Sequence, residues 1–164
     1  MERLWAPWRR TYVVGTAARH DCVFCAAAAE GLDHALVVAR GQTCFSIMNA
    51  YPYNNGHLMV VPYVHAAALD EVCAATRAEM METAARWTSV LRVTMNTEGF
   101  NVGLNLGSAG GAGIAGHLHL HVVPRWTGDT NFMPVVGATK VLPEALETTA
   151  ERLRAAWRAA TPDG

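Results

Sequence analysis

The sequence lacks the features that mark a membrane protein or a nucleic-acid-binding protein. No apolar run approaches the roughly 18 residues that a membrane helix needs. The N-terminal stretch MERLWAPWRRTYVV has charges and tryptophans where a signal peptide needs an uninterrupted apolar segment. Thirteen basic residues against 14 acidic ones give a formal net charge of −1, so there is no overall electrostatic attraction to nucleic acid or to an anionic membrane. We therefore expect a cytoplasmic protein that binds neither.

The chain also lacks internal repeats and linker-like segments. Its 164 residues suffice for one domain with a buried core. With 51% hydrophobic and 16% charged residues, the composition is ordinary for a soluble globular fold and unlike that of a disordered chain. We predict a single domain over residues 1–164, with an N-terminal arm over 1–20 and a C-terminal helix from about residue 143.

Cysteine is scarce as well, and four cysteines in a reducing compartment are not expected to form a disulfide framework. Cys44 opens a predicted strand and Cys73 lies on the apolar stripe of a predicted helix, so we predict small core residues at both positions. Cys22 and Cys25 form the pair CVFC. That spacing fits a redox pair, a buried structural pair or half of a tetrahedral zinc site, which would need two further ligands.

The pattern of apolar residues predicts an α+β domain. A short helix ends at Gly31, a long amphipathic helix covers residues 69–95, and a last helix starts at Pro143 with the proline in its first turn. The β-leaning segments lie at residues 35–40, 44–49, 57–63, 100–106 and 117–126. This order favours an antiparallel sheet of about five strands covered by helices on one face.

The segment HLHLHVVPRW at 117–126 has histidines at every second position, namely His117, His119 and His121. In an extended strand, side chains alternate between faces, so the three imidazoles share one side and the apolar residues between them share the other. Polar residues on a solvated face, a three-histidine metal site and a nucleophilic histidine with two helpers all fit this pattern.

A glycine-rich loop before the histidines favours the nucleophile. Such glycine density lets successive backbone N–H groups turn towards one point and form an anion-binding nest, and Asn105 and Ser108 add side-chain donors. A phosphate held there would lie beside the histidines, although a flexible surface loop is the alternative. The glycines of the loop are Gly107, Gly110, Gly111, Gly113 and Gly116.

HLHLHVV resembles the His-x-His-x-His-x-x signature, with x apolar, of the histidine triad family of nucleotide-binding proteins. The segments CVFC, IMNAYPYNNGHLMVVPYVH, GFNVGLNLGSAGGAGIAGHLHLHVVPRW and GDTNFMPV are similar to the bacterial branch that contains diadenosine tetraphosphate phosphorylases. The similarity covers roughly residues 1–145. It implies the antiparallel sheet of that family, extended by pairing of two chains, so that a homodimer is expected and a tetramer is the alternative.

The resemblance implies a nucleotidyl-transferring enzyme with His119 as its nucleophile. His119 would attack the α-phosphorus of a nucleotide and form a covalent nucleotidyl-histidine, while His121 would donate hydrogen bonds to the phosphoryl oxygens. Orthophosphate resolves this intermediate in the phosphorylases and water does so in the hydrolases.

One departure from the family pattern bears on the choice of acceptor. Hydrolases of the family usually carry a glutamine just before the triad, whereas this chain has GAGIAG there, without any side-chain donor. We therefore expect phosphorolysis of diadenosine tetraphosphate to ATP and ADP. The alternatives are hydrolysis of dinucleoside polyphosphates or adenosine phosphoramidates, and a non-catalytic nucleotide sensor.

The resemblance also implies a nucleotide pocket. Asn49 matches the residue that takes the ribose hydroxyls, Asn105 matches one that contacts phosphate, and His57 matches a histidine that supports the pocket floor. The predicted phosphate site adds Gly107, Ser108, Gly111 and Gly113. The predicted walls for the base, which plain core packing explains equally well, are Phe24, Phe45 and Ile47.

Relatives with the cysteine pair close a zinc site with two histidines. The matching residues here are His65 and His117, which together with Cys22 and Cys25 would give a structural zinc site with no open position. The alternative is that both cysteines are buried near the sheet and that His117 merely orients His119. No organic cofactor is expected.

Overall fold

The computed structural model describes residues 22–130, 132–137, 141 and 143–160, so the predicted arm over 1–20 lies outside the described residues. Among the described residues, none of the helices has both the length and the apolar character that crossing a membrane requires. The helices and strands are α1 (Val23–Glu30), β1 (Val37–Arg40), β2 (Cys44–Met48), β3 (Leu58–Pro62), α2 (Ala74–Met95), β4 (Gly99–Leu104), β5 (Leu120–Arg125), α3 (Met133–Gly137) and α4 (Leu146–Ala159).

The five strands form one antiparallel sheet in the order β1-β2-β3-β5-β4. The predicted α+β fold with about five antiparallel strands is therefore confirmed. β5 lies between β3 and β4, which places His121 opposite Met59 on one side and opposite Gly103 on the other. The last residue of the histidine motif is thus held at the centre of the sheet by two neighbouring strands.

Strand alternation divides the apolar residues between the two faces of the sheet. Along β2, Cys44 and Met48 pack into the core beneath α2 and α4, whereas Phe45 and Ile47 pack on the opposite face. The burial of Cys44 confirms its predicted core position. The two long helices cover one face as expected, and α1 covers part of the other.

Trp87 of α2 is the largest fully buried side chain of the helix-covered core. Its indole N–H donates a hydrogen bond of 2.7 Å to the Ser46 hydroxyl of β2, and its ring stacks on Trp157 of α4 with centroids 4.4 Å apart. This residue therefore joins the sheet to both long helices and satisfies its own polar atom inside the core.

The long helix begins later than its periodicity predicts. α2 starts at Ala74 instead of residue 69, and Cys73 is an exposed residue with extended backbone at the helix start. The predicted core position of Cys73 is therefore wrong. The Glu71 carboxylate accepts hydrogen bonds from the backbone N–H groups of Ala67 and Ala68, which stabilises turns where a helix was expected.

Two further boundaries differ from the sequence prediction. α4 begins at Leu146 because Ala145 has extended backbone, so Pro143 lies before the helix and not in its first turn. β5 begins at Leu120, so His117 and His119 precede the strand that was expected to contain them.

The two edges of the sheet are built differently. At β1, the Arg154 guanidinium of α4 donates to the carbonyl oxygens of Val37, at 2.6 Å, and His34, at 2.9 Å, and also bonds that of Ala35. β4 has a neighbouring strand on one side only within the described chain. One backbone carbonyl of β1 is thus bonded by a side chain, while one edge of β4 has no neighbouring strand among the described residues.

Candidate active site

The three histidines of the motif lie on one side of the chain although only His121 belongs to a strand. The ring centroids of His119 and His121 are 4.8 Å apart. The centroid of the Phe24 ring lies 5.4 Å from that of His117 and 5.1 Å from that of His119. The residue between the first two, Leu118, faces the helix-covered core. Alternation of side chains thus continues into the extended segment before β5.

His119 has its hydrogen-bonding roles fixed by the backbone. Its Nδ1 lies 2.8 Å from the carbonyl oxygen of His117, which can only accept, so Nδ1 carries the proton and Nε2 has a lone pair. Burial lowers the pKa of His119 below its ordinary value, and this favours the neutral ring. A neutral imidazole with an unprotonated Nε2 is the form that can attack an electrophile.

His121 receives the opposite role through His57. The backbone N–H of Tyr53 donates to Nδ1 of His57 at 3.0 Å, so the proton of His57 is on Nε2. That Nε2 lies 3.0 Å from Nδ1 of His121, which must accept, and the proton of His121 is therefore on its own Nε2. Nδ2 of Asn105 lies 3.5 Å from this nitrogen, and because an amide NH₂ can only donate, it does not accept the His121 proton. His121 is thus oriented as a hydrogen-bond donor beside the candidate nucleophile.

Acid is expected to destabilise the fold through His57. Burial lowers the pKa of His57 to about 3 from its ordinary 6.5, and its titratable neighbours are Tyr53, His119 and His121. Between these values the unfolded chain binds a proton that the folded chain does not. This group therefore lowers the free energy of unfolding by about 1.4 kcal/mol per pH unit as the pH falls below 6.5. Urea unfolding at pH 7, 6, 5 and 4 measures that slope.

The matched control for this pH dependence replaces a histidine outside the site. His57→Gln, which cannot be protonated, should show a shallower loss of stability than the wild type. His34→Gln changes a partly buried histidine beside β1 and should keep the wild-type slope. Equal slopes in the wild type and in His57→Gln would show that His57 is not the titrating group.

Asn49 lies directly after β2, is half-buried and contacts His57. Its side-chain oxygen accepts a hydrogen bond from the backbone N–H of Tyr51 at 2.9 Å, and its Nδ2 lies 3.3 Å from Nδ1 of His57. The residue predicted to bind ribose is therefore held in place by contacts to the same turn that orients His57.

The predicted base-pocket walls are all buried in one apolar cluster, on the sheet face opposite α2. They are Phe24, Phe45 and Ile47. Phe24 touches His119, and the Phe45 ring stacks on Tyr63 with centroids 5.5 Å apart. The structure thus brings this cluster next to the candidate nucleophile.

The glycine-rich loop uses three of its backbone N–H groups for its own closure. Gly107 and Gly111 have positive φ angles of 66° and 86°, as expected of a tight glycine turn. However, the N–H groups of Gly110, Gly111 and Ala112 donate to carbonyl oxygens inside the loop. Those three groups do not point to a common external anion. The N–H groups of the exposed Gly107 and Gly113 and the hydroxyl of the exposed Ser108 stay the predicted phosphate donors.

A second group of side chains lies beside the histidines. One donor atom each from Cys22, Cys25, His65 and His117 lie within 4.8 Å of one another. Nδ1 of His117 is 3.3 Å from the Cys22 sulfur and 3.7 Å from the Cys25 sulfur, and Nδ1 of His65 is 3.3 Å from the Cys25 sulfur. We refer to these four residues as the Cys–His cluster.

The chemistry of the Cys–His cluster fits a tetrahedral metal ion. Two thiols and two imidazoles form a common ligand set of structural zinc. Nε2 of His117 lies 2.9 Å from the carbonyl oxygen of Pro62, to which it donates, so the lone pair of Nδ1 is directed at the two sulfurs. A backbone acceptor on the far nitrogen is the usual outer partner of a metal-binding histidine.

Comparison with known proteins agrees with the fold. The HIT domain family model matches residues 32–128. The AP-4-A phosphorylase of Mycobacterium tuberculosis is 39% identical over 165 aligned residues, which cover 96% of this chain and 85% of that protein. The chain belongs to the histidine triad family. Because this triad-family relative is named as a phosphorylase, the prediction of an enzyme is also confirmed.

Solved structures of the histidine triad family have the same fold. A Zn-bound histidine triad family protein from Mycobacterium smegmatis gives a TM-score of 0.70 at 27% identity, covering 87% of this chain and 96% of that one. A hypothetical histidine triad nucleotide-binding protein from Sulfolobus tokodaii gives a TM-score of 0.69 at 23% identity, with coverage of 84% and 93%. The predicted triad-family fold is thereby confirmed.

Sequence reasoning predicted the side chains of this candidate site but missed the groups that orient them. Three of those groups belong to the backbone: the carbonyl of His117, the N–H of Tyr53 and the carbonyl of Pro62. Since every residue has such groups, no sequence signal could have identified them.

Proposed function

We propose that the chain is a phosphorylase that converts diadenosine tetraphosphate and orthophosphate to ATP and ADP through a nucleotidyl intermediate on His119. The observation that carries the proposal is the pair of neighbouring rings with opposite roles. His119 has a lone pair on Nε2 and His121 has a proton on Nε2, with their centroids 4.8 Å apart. A nucleophile beside a hydrogen-bond donor is the pairing that phosphoryl transfer needs.

The first step forms one bond and breaks one. The Nε2 lone pair of His119 attacks the α-phosphorus, and the bond from that phosphorus to the bridging oxygen breaks, so that ATP leaves with the bonding electrons. The ring then carries a positive charge, which the carbonyl of His117 stabilises by accepting the Nδ1–H bond. His121 donates its Nε2–H to the phosphoryl oxygens as their charge rises.

The second step returns His119 to its starting form. An oxygen of orthophosphate attacks the same phosphorus, the P–N bond breaks, and its electrons return to Nε2. The product is ADP, whose β-phosphate derives from the orthophosphate. Two displacements in sequence let a neutral imidazole act without a separate general base.

Two observations support orthophosphate as the acceptor. The stretch GAGIAG before the triad has no side chain that could position a water molecule. In addition, the Mycobacterium tuberculosis relative, which is 39% identical, is named as an AP-4-A phosphorylase. Adenine nucleotides, dinucleoside polyphosphates and phosphate are therefore the proposed ligands.

Product analysis with and without orthophosphate tests this function. The full chain is incubated with diadenosine tetraphosphate, and the nucleotides are separated by chromatography. We expect ATP and ADP in equal amounts only when phosphate is present, and ³²P from labelled orthophosphate should appear in ADP. ATP with AMP in the absence of phosphate would identify a hydrolase instead. Binding without turnover would identify a nucleotide sensor.

The assembly and the metal belong to the same proposal. Cys22, Cys25, His65 and His117 would hold a structural zinc ion, whose role is to fix the segments that carry them. A homodimer would extend the sheet by pairing of the open β4 edges, with a tetramer as the alternative.

A further inference from the structure

His117 belongs to two centres at once. Its imidazole faces the Cys–His cluster, with Nδ1 at 3.3 Å from the Cys22 sulfur. Its backbone carbonyl accepts the Nδ1–H of His119 at 2.8 Å. His117 therefore connects the candidate metal site to the hydrogen bond that holds the proton of His119 on Nδ1.

The connection through His117 is held at several points. The far side of its ring donates to the carbonyl of Pro62 at 2.9 Å, and the next residue, Leu118, donates its N–H to the carbonyl of Ala66 at 2.7 Å. The His117 side chain is fully buried and contacts the rings of Phe24 and His65. A ring fixed at both nitrogens leaves its own backbone little freedom to turn, so that the direction of its carbonyl follows from the position of the ring.

We propose that His117 is a positioning residue through which zinc bound at the Cys–His cluster fixes the tautomer and the direction of the His119 ring. Zinc held by the Cys–His cluster would link Nδ1 of His117 to Cys22, Cys25 and His65. The carbonyl then stays directed at Nδ1 of His119, and Nε2 of His119 keeps its lone pair. The inference rests on zinc binding, and it does not depend on which acceptor resolves the nucleotidyl intermediate.

Coupling between two sites acts in both directions, and this gives a test that needs no substrate. If zinc favours the bond from His119 to the carbonyl of His117, then loss of that bond must weaken zinc binding. The Kd for zinc is measured with a competing chromophoric chelator. We expect His119→Ala to raise the Kd about fivefold, the ratio expected for one neutral hydrogen bond.

Two matched variants separate positioning from general damage. His119→Asn keeps a side-chain N–H that can donate to the same carbonyl, so zinc affinity should return to near the wild-type value. His121→Ala removes a buried histidine of the same motif whose Nδ1 is bonded to His57, so it should also keep that value. An unchanged Kd in His119→Ala, an equal rise in His121→Ala, or no zinc binding by the wild type would overturn the proposal.

A spectroscopic measurement covers the case in which a variant does not fold. In wild-type protein with ¹⁵N-labelled histidine, the ring signals of His119 report which nitrogen carries the proton. With zinc we expect a single species protonated at Nδ1. After chelation of the metal from protein whose amide spectrum shows that it is still folded, we expect exchange between the two tautomers. Identical His119 ring signals with and without zinc would contradict the link, whatever the enzyme assay gives.

Discussion

His119→Ala is expected to lower the rate of nucleotidyl transfer by more than about a hundredfold, the order of loss that follows deletion of a covalent nucleophile. Alanine removes the lone pair that is proposed to attack phosphorus, while Asn49 and the apolar cluster around Phe45 are left in place. The loss should therefore fall on kcat, with little change in nucleotide affinity. Initial rates of ATP formation from diadenosine tetraphosphate, together with calorimetric binding of AMP, measure the two quantities separately.

The control for this prediction is His34→Ala, which replaces a histidine beside β1 and should keep the wild-type rate. The intermediate itself can be sought by mass spectrometry at alkaline pH, where a phosphoramidate survives. The wild type without orthophosphate should gain the mass of one adenylyl group on the peptide that contains His119, and the variant should not. A near-normal rate in His119→Ala would show that His119 is not the nucleophile.

Removal of zinc is expected to produce the second large effect, a fall in the melting temperature of about 10 °C. A ligand at about 1,000 times its Kd stabilises the folded state by about 4 kcal/mol. Each kcal/mol shifts the melting temperature of a domain of this size by about 2–4 °C. Metal analysis of protein purified without chelator should give one zinc per chain, and calorimetric melting before and after chelation measures the shift.

Two cysteine variants make the zinc prediction specific. Cys22→Ser changes a buried thiol of the Cys–His cluster and should lose both the zinc and the part of the stability that it supplies. Cys73→Ser changes an exposed thiol outside the cluster and should keep both. A zinc content well below one per chain in the wild type, or equal melting temperatures with and without chelator, would contradict a structural metal.

The side chains of the site were predictable because their spacing has a direct geometric meaning. Alternation at every second residue puts His119 and His121 on one side, and this holds although His119 lies before β5. The burial of Cys44 and the five-strand sheet follow from apolar patterns of the same local kind. Such patterns hold in the folded chain because they depend only on residues that are close in sequence.

The features that could not be predicted depend on distant or backbone groups. The bond from His57 to His121 requires β3 to pair with β5, across 64 residues of sequence. The apolar periodicity over 69–73 is typical of a helix. The Glu71 carboxylate instead accepts hydrogen bonds from the backbone N–H groups of Ala67 and Ala68, which stabilises turns in this segment. In the glycine-rich loop, composition predicted donors for an anion, whereas the loop uses several of them for its own closure.

The contacts of Arg154 at the first strand have a consequence for how many copies can join. A sheet with two bare edges can add copies at both sides without limit, which is the geometry of a fibre. Here the guanidinium bonds one carbonyl oxygen of β1 and others just before it, whereas β4 has a strand neighbour on one side only among the described residues. Two copies that paired through β4, as proposed above, would cover that edge in both chains and would close the assembly by two-fold symmetry. In the proposed homodimer, Arg154 of α4 would thus favour pairing through β4 over pairing through β1.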